Sequence, residues 1–478
     1  MFCFIVGLAS PVGELISQVG LVARLATAIP TGNAQPIRTV RLRLLPNGSQ
    51  ERRLRRIAKY FARCWNEVTF ERGRQFFSEQ GIDLKGTYRK YYDDYKSLIG
   101  SANVQQLLNM NNEAWESFFE LLRLKKNGKL PPFISRISPP GYWKNRLLGE
   151  PRLIIVVRSD RYYVEPINGG EGYLVLKDYR LRIKFAGRIR WEGRQGRLII
   201  KYEGGRWFAY VPIEVGKPAP RSNPRGYVKP NYRDRRVVNP RAIQQRQPIG
   251  RDKAFIDIGL NNLFAVTTTS GYAILVKGGS IKAEYYWWKR EIATWQSVRD
   301  KLRNWGLPNW RYYHKLYLRA VFRRNERLRH LYRTAIRFLA DTLWRLGVDE
   351  VFIGYPYGVS QVNGNEYNTN IWWFREIIQW LVDVLEEYGI KIILVNETYT
   401  SKTCSICGEI HENGRKYRGL YICPKMGKAI NADINASINI ARKVGYEVKA
   451  KHKILSFQAT TNGIKPLNPH QRANTQDP

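Results

Sequence analysis

Cysteine is scarce in this chain, with five residues in 478, and three of them (Cys404, Cys407 and Cys423) crowd into one short stretch. That usage argues against a disulfide-stapled secreted fold and points to a reducing compartment, with the clustered thiols placed for a metal. Cys3 and Cys64 stand apart and read as ordinary apolar residues. Long uncharged apolar runs are also missing. The first thirty residues are apolar but broken by Glu14 and Arg24, and they lack the positively charged start of a secretory signal. Neither export nor a membrane span is expected, no membrane partner is expected, and residues 1–35 read as a poorly ordered leader of a cytoplasmic, nucleoid-associated protein. Acidic residues are the third shortage: 40 Asp+Glu stand against 79 Lys+Arg, a formal net charge of +39.

So large an excess goes beyond what solubility requires, and a polyanion partner explains it, because Lys and Arg gain affinity by displacing counterions from phosphates of any sequence. A hot or salty niche, or an anionic membrane surface, would give a similar balance. Nucleic acid is the stronger reading, since Arg is interleaved with Trp and Tyr whose rings can stack on bases. With 44% hydrophobic and 13% aromatic residues the chain can build cores, and its length suits two or three globular units.

Along the chain, Val40, Leu42 and Leu44 alternate with Arg41 and Arg43, the period of a half-buried strand, placed in a segment 36–48 that ends in an Asn47-Gly48 turn. The period then becomes helical, with Leu54, Ile57, Phe61, Trp65 and Val68 forming one stripe, and a basic helical lobe is expected over 49–150. Strand alternation returns over 151–215, at Leu181, Ile183 and Phe185 and again at Trp207, Ala209 and Val211, as in a small β-barrel or curled sheet whose first strand is the one at 38–45. Residues 216–251 carry six prolines among many Arg residues and read as a basic linker. Beyond it, FIDIGLNNLFAV (255–266) reads as a β-hairpin, two long basic helical stretches break near Gly306 and Pro308, and VFIGYP (351–356) and IKIILV (390–395) read as buried strands around a helix. Strand-helix-strand of this kind implies a parallel pair in an α/β sheet. Residues 447–478 read as a flexible tail.

Asp257 interrupts an apolar strand, where a lone buried charge costs several kcal/mol, so something must compensate it. A divalent cation would do so, as would a backbone cap or one of the many Arg residues. Glu397 follows the apolar IILV run, and Asp433 lies in NADINASINIARK, whose spacing predicts a helix starting near Asn431. A first strand, a later parallel strand and a terminal helix is the chain order in which an RNase H-like fold converges three carboxylates, able to hold two metals about a scissile phosphate.

The blocks FIDIGLNNLFAV, VFIGYPYGVSQ, VNETYTSKTCSICG, YRGLYICPKMG and NADINASINIARK, in that order, resemble the signature blocks of TnpB (OrfB) proteins, transposon-encoded relatives of the type V CRISPR effectors. The likeness covers roughly 36–445 and is strongest beyond 251. It implies a multidomain α+β protein: a RuvC-like (RNase H-like) α/β nuclease core at 252–403 and 427–446, a zinc-ribbon-like knuckle inserted at 404–426, and an N-terminal wedge β-barrel with an inserted helical recognition lobe. It further implies an RNA-guided DNA endonuclease using Mg2+ or Mn2+, with guide RNA and double-stranded DNA as partners, acting as monomer or homodimer, in which Asp257, Glu397 and Asp433 are catalytic. In such systems base pairing reads sequence while the protein holds backbone, which suits a large diffuse positive charge.

Against the family's two Cys pairs, the first is intact at Cys404 and Cys407, whereas Cys423 is followed three positions on by Met426 where Cys is expected. An uncharged thioether is a poor Zn2+ ligand. Three readings stand: Cys404, Cys407 and Cys423 with His411 or water hold zinc, the loop folds without metal, or the knuckle has decayed. Two further functions stay open beside the guided nuclease: a non-catalytic relative that occupies or represses DNA, and a transposase that itself joins strands through an acidic triad.

Overall fold

The computed structural model describes residues 37–467 apart from 79–80, 131–133, 135, 168–169, 231–236, 356–369, 418, 450–451 and 453. The segment 1–35 read as a leader, with Cys3, lies outside the described residues, as do the end of the VFIGYPYGVSQ block and residues 468–478. The chain divides into two compact units, Met1–Ile243 and Gln244–Pro478.

In the first unit, β1 (Ile37–Leu44) buries Val40, Leu42 and Leu44 and sends Arg41 and Arg43 the other way. Asn47 then starts α1 (Gly48–Phe77): its side chain accepts from the Gln50 amide while the Gln50 side chain accepts from its own, a reciprocal cap. α2 (Leu84–Ile99) and α3 (Ser101–Lys126) complete a helical insertion. The chain returns to strands β2 (Ile154–Val157), β3 (Tyr162–Ile167), β4 (Glu171–Leu176), β5 (Leu181–Ala186), β6 (Gly193–Gln195), β7 (Leu198–Glu203), β8 (Arg206–Val215) and β9 (Tyr227–Val228). With β1 they form one antiparallel sheet ordered β2-β7-β8-β1-β5-β4-β3, with β6 paired to β8 and β9 to β6. β1 lies between β8 and β5, so the helices are inserted between the first strand of the sheet and the rest. Closure of that path into a barrel is not among the pairings of the described residues.

Residues 216–251, expected as a linker, are partly integrated. Val237 and Ile243 are buried, β9 pairs with β6, and the Glu192 amide donates to the Pro240 carbonyl at 2.8 Å. Proline lacks an N–H yet keeps its acceptor, so a proline-rich segment can still dock on a sheet edge that supplies donors.

The second unit is built on a seven-stranded sheet of order β14 (Lys391–Asn396), β13 (Val348–Tyr355), β10 (Asp252–Ile258), β11 (Asn262–Thr268), β12 (Ala273–Lys277), β18 (Leu455–Thr460) and β19 (Gly463–Pro466). β10 (Asp252–Ile258), β11 (Asn262–Thr268) and β12 (Ala273–Lys277) form an antiparallel meander. The chain then crosses through α4 (Gly279–Asn304) and α5 (Trp310–Arg345) to β13 (Val348–Tyr355), parallel to β10, and through α6 (Phe374–Glu387) to β14 (Lys391–Asn396), parallel to β13. A three-stranded sheet of β15 (Arg415–Tyr417), β16 (Leu420–Ile422) and β17 (Ala429–Asn431) follows, and α7 (Ala432–Lys443) packs on β10, β11 and β13. The stretch expected as a flexible tail adds two strands instead: β18 (Leu455–Thr460) runs parallel to β12 and β19 (Gly463–Pro466) pairs with β18. Among the described residues, no helix is long and apolar enough to cross a membrane.

Candidate metal centre

The sheet face under α7 is laid down by hydrophobic packing, and the acids extend it. Phe255, Phe352, Val395, Ile440 and Ala441 form one buried cluster, with the Phe255 and Phe352 rings stacked at 5.4 Å. Side chains two apart on a strand share a face. Asp257 therefore follows Phe255, and Glu397 follows Val395, onto the side that α7 covers. Asp433 reaches it from the first turn of α7, whose cap Asn431 accepts from the Asp433 and Ile434 amides. Gly354 leaves room for the approach: a Cβ there would stand 2.9 Å from Glu397 Oε2 and 2.8 Å from Ile440 Cδ1.

Of the three carboxylates, Asp257 feels the other two. Burial pushes the Asp257 carboxyl well above the usual range, and the charges of Glu397 and Asp433 push it further, while Arg415 opposes them. Burial likewise raises Glu397 to about 7, against the charge of Lys443. Glu397 Oε2 and Asn262 Oδ1 are buried, and neither accepts a hydrogen bond from the described residues. A buried acceptor without a donor is costly in an empty protein and suits a position that a cation or its water will address. The oxygen-rich donor set fits Mg2+ or Mn2+.

Asp433 differs from the other two, because it already has partners. Asn262 Nδ2 donates to Oδ2 at 2.6 Å and Arg415 Nη2 donates to Oδ1 at 2.9 Å. The backbone around Glu397 is tied down by Lys443, whose ammonium donates to the carbonyls of Asn396 and Thr398, and by the Thr400 amide, which donates to the Glu397 carbonyl. The sequence reading missed Asn262, Arg415 and Lys443. Asn262 lies in a block already singled out and Lys443 ends another, so both were within reach; Arg415 carried no signal.

Next to this site the knuckle brings Cys404, Cys407, His411 and Cys423 together, with one ligand atom from each lying within 4.8 Å of the others. Cys407 Sγ and His411 Nε2 are 3.1 Å apart. Two matching turns present the thiols: the Gly408 amide donates to the Cys404 carbonyl and the Gly427 amide to that of Cys423. Met426 is 50% exposed, so the fourth place is taken by His411. Three sulfurs and an imidazole fit tetrahedral Zn2+. α7 holds the knuckle through Asn435, which accepts from the Ser405 amide and donates to the Thr403 carbonyl, and through Arg442, which donates to the carbonyls of Cys404 and Ser405. The helix carrying Asp433 thus also positions the thiolate cluster.

Two family models match, one described as a probable transposase (OrfB, IS605) over residues 211–360 and one as a Cas12f1-like TNB domain over 374–440. A TnpB-like protein of Acidianus two-tailed virus is 40% identical over 438 residues, covering 90% of this chain and 92% of the relative. A CRISPR-associated endodeoxyribonuclease Cas12f1 of Sulfoacidibacillus thermotolerans is 39% identical over 70 residues, 15% of this chain and 17% of that one. Among solved structures, a Cas12f1-sgRNA-target DNA complex matches with a TM-score of 0.48 at 16% identity, covering 82% of this chain and 83% of that chain. With a viral relative matched almost end to end at that identity, the chain belongs to the TnpB-like protein family.

Proposed function

We propose that this chain is an RNA-guided, divalent-metal-dependent DNA endonuclease with a RuvC-like core, in which Asp257, Glu397 and Asp433 hold the catalytic ions. The observation that carries the reading is the convergence of three carboxylates, from β10, the end of β14 and the start of α7, on one sheet face, where burial raises Asp257 and Glu397 and the other two acids raise Asp257 further. The strand order, an antiparallel meander flanked by two parallel strands, supports an RNase H-like core. Bound divalent ions supply an activated water and a stabilised leaving oxygen. The protein's part is to fix the carboxylates: the strands set Asp257 and Glu397, Asn262 orients Asp433, and Lys443 pins the Glu397 loop. Zn2+ on Cys404, Cys407, His411 and Cys423 would be structural, closing the knuckle against α7.

The partners follow from charge and kinship. A net +39 suits phosphate backbones held without sequence readout, a guide RNA encoded by the same element and a duplex DNA target. One observation favours a second reading. The Arg415–Asp433 pair places a guanidinium on a proposed metal ligand, as a non-cleaving protein that merely occupies DNA could tolerate.

The test is to purify the protein with its flanking transcript, add Mg2+ and matched duplex, and compare Asp257→Ala. RNA-dependent cutting abolished by Asp257→Ala supports the nuclease. Co-purifying RNA with no cutting gives the DNA-occupying reading instead, and cutting that ignores the RNA gives an unguided nuclease.

A further inference from the structure

The inference rests on the divalent-ion reading above and adds one residue to it. Two asparagines stand side by side where β10 turns into β11, and their side-chain oxygens are treated differently. Asn261 Oδ1 takes the ammonium of Lys282 at 2.6 Å. Asn262 is only 4% exposed, yet its Oδ1 accepts no hydrogen bond from the described residues, while its Nδ2 donates to Asp433 Oδ2 at 2.6 Å. A carboxylate oxygen in such a contact accepts, so the amide nitrogen is the atom that faces it and the amide oxygen is the end left over. A buried amide oxygen without a donor is costly, and something that brings it positive charge relieves the cost.

The strand is distorted to put that oxygen where it is. Ala265 of β11 pairs with Leu275 of β12, and both pack against Ile434 and Ile438 of α7, so this side of the meander faces the helix. Asp257, opposite Ala265 in β10, lies on the same side. Strict alternation from Ala265 would send Asn262, three positions earlier, to the other side. A register shift between Asn262 and Phe264 instead sets Asn262 opposite Lys277, two positions beyond Leu275, and so turns it towards α7. Bulges of this kind re-aim a side chain.

The side chains gathered there offer oxygens: three carboxylates and one amide carbonyl. Hard divalent cations take amide carbonyls beside carboxylates, and some phosphoryl-transfer sites hold Mg2+ with an Asn next to an Asp. A fourth acid would add charge where Asp257 already feels two others, whereas a neutral oxygen adds a ligand without it. We propose that Asn262 is a ligand of the divalent centre, with its carbonyl oxygen on an ion and its amide nitrogen holding the Asp433 carboxylate beside it.

The test uses Mn2+ and the full chain freed of nucleic acid, for wild type, Asn262→Ala, Asn262→Asp and Asp257→Ala. Affinity is read from the loss of the free-ion paramagnetic resonance signal. Ligation is read by pulsed resonance on protein carrying asparagine labelled with 13C at the side-chain carbonyl. Wild type is expected to show a hyperfine coupling between Mn2+ and the label that both Asn262 variants lose. Asn262→Ala should bind Mn2+ on the order of tenfold more weakly than wild type, and Asn262→Asp, which keeps the oxygen, at least as tightly as wild type. Weakened binding by Asn262→Ala with no coupling in wild type would mean that Asn262 only positions Asp433, and a coupling that persists in both variants would mean that another asparagine is the ligand; either result overturns the proposal while the metal site stands. The wild-type spectrum decides the matter even where a variant fails to fold, since a missing coupling there is enough to overturn it. Should Asp257→Ala bind Mn2+ as wild type does, the acidic centre itself fails and the Asn262 assignment with it.

Discussion

Glu397→Gln should make the metal-free protein more stable at alkaline pH while removing its chemistry. The Glu397 carboxyl is raised from the ordinary 4.5 to about 7, first by burial and against Lys443. Between those values the folded chain keeps a proton that the unfolded chain has released. Folding is therefore relatively favoured below pH 4.5, loses that advantage progressively as pH rises, and carries the full penalty once pH exceeds about 7. At about 1.4 kcal/mol per pKa unit, the rise corresponds to about 3 kcal/mol at pH 8. For a unit the size of residues 244–478, each kcal/mol moves Tm by roughly 2–4 °C. In EDTA at pH 8, Glu397→Gln should melt roughly 6–12 °C above wild type, and at pH 4.5 the two should nearly coincide. Mg2+ should narrow the gap from the other side, since binding to the folded state alone adds about 2.7 kcal/mol at a hundredfold excess over Kd, and only wild type can use it. Melting by calorimetry across pH, with and without Mg2+, is the assay. A wild type that stays as stable as Glu397→Gln at pH 8 in EDTA would refute the view that this carboxylate is held short of positive charge.

Three further outcomes follow from the same geometry. Lys443→Met removes the positive charge that opposes the rise of Glu397, so the midpoint for Mn2+ binding against pH should move upward relative to wild type, measurable by titrations at stepped pH. His411→Ala should lower zinc content in purified protein measured by mass spectrometry, whereas Met426→Ala, at a position 50% exposed, should leave it unchanged. Ending the chain after Tyr446 should destabilise the second unit, because it strips β18 from the edge of β12 and removes Phe457, whose ring lies 4.7 Å from that of Phe338; a lowered Tm with aggregation is expected, and an unchanged Tm would count against it.

Each acid stands out in the sequence: Asp257 interrupts an apolar strand, Glu397 follows an apolar run and Asp433 opens a segment of helical spacing. Their supports do not, since an Asn in a turn or an Arg on an exposed strand looks the same whether it faces water or a carboxylate. His411 was half legible: its four-residue distance from Cys407 allowed ligation, but only the turn at Gly408 brings its Nε2 within 3.1 Å of the sulfur. The tail was misread for a different reason. Leu455, Phe457 and Ala459 do alternate, and Phe457 and Ala459 are buried, yet the prolines and polar residues around them outweighed three apolar positions. What decides a short edge strand is the unpaired partner waiting beside it, here β12, whose paired residues lie 181 positions earlier, as Ile274 does from Leu455.

The abundance of Lys and Arg sharpens the meaning of the carboxylate site. In a chain with 79 basic residues, an acid is easily paired: buried Glu387 takes a two-pronged Arg337, and half-buried Asp341 receives both Arg246 and Arg345. Around the candidate centre the supply is withheld. Lys443 lies close enough to lower Glu397 yet spends its protons on backbone carbonyls, and among the described residues Arg415 is the one cation paired with Asp433. A fold that needed these acids only for stability would have matched each to a guanidinium, as it does at Glu387. Leaving Glu397 Oε2 without a donor, two residues beyond a core valine, is costly unless the missing charge arrives from outside the chain.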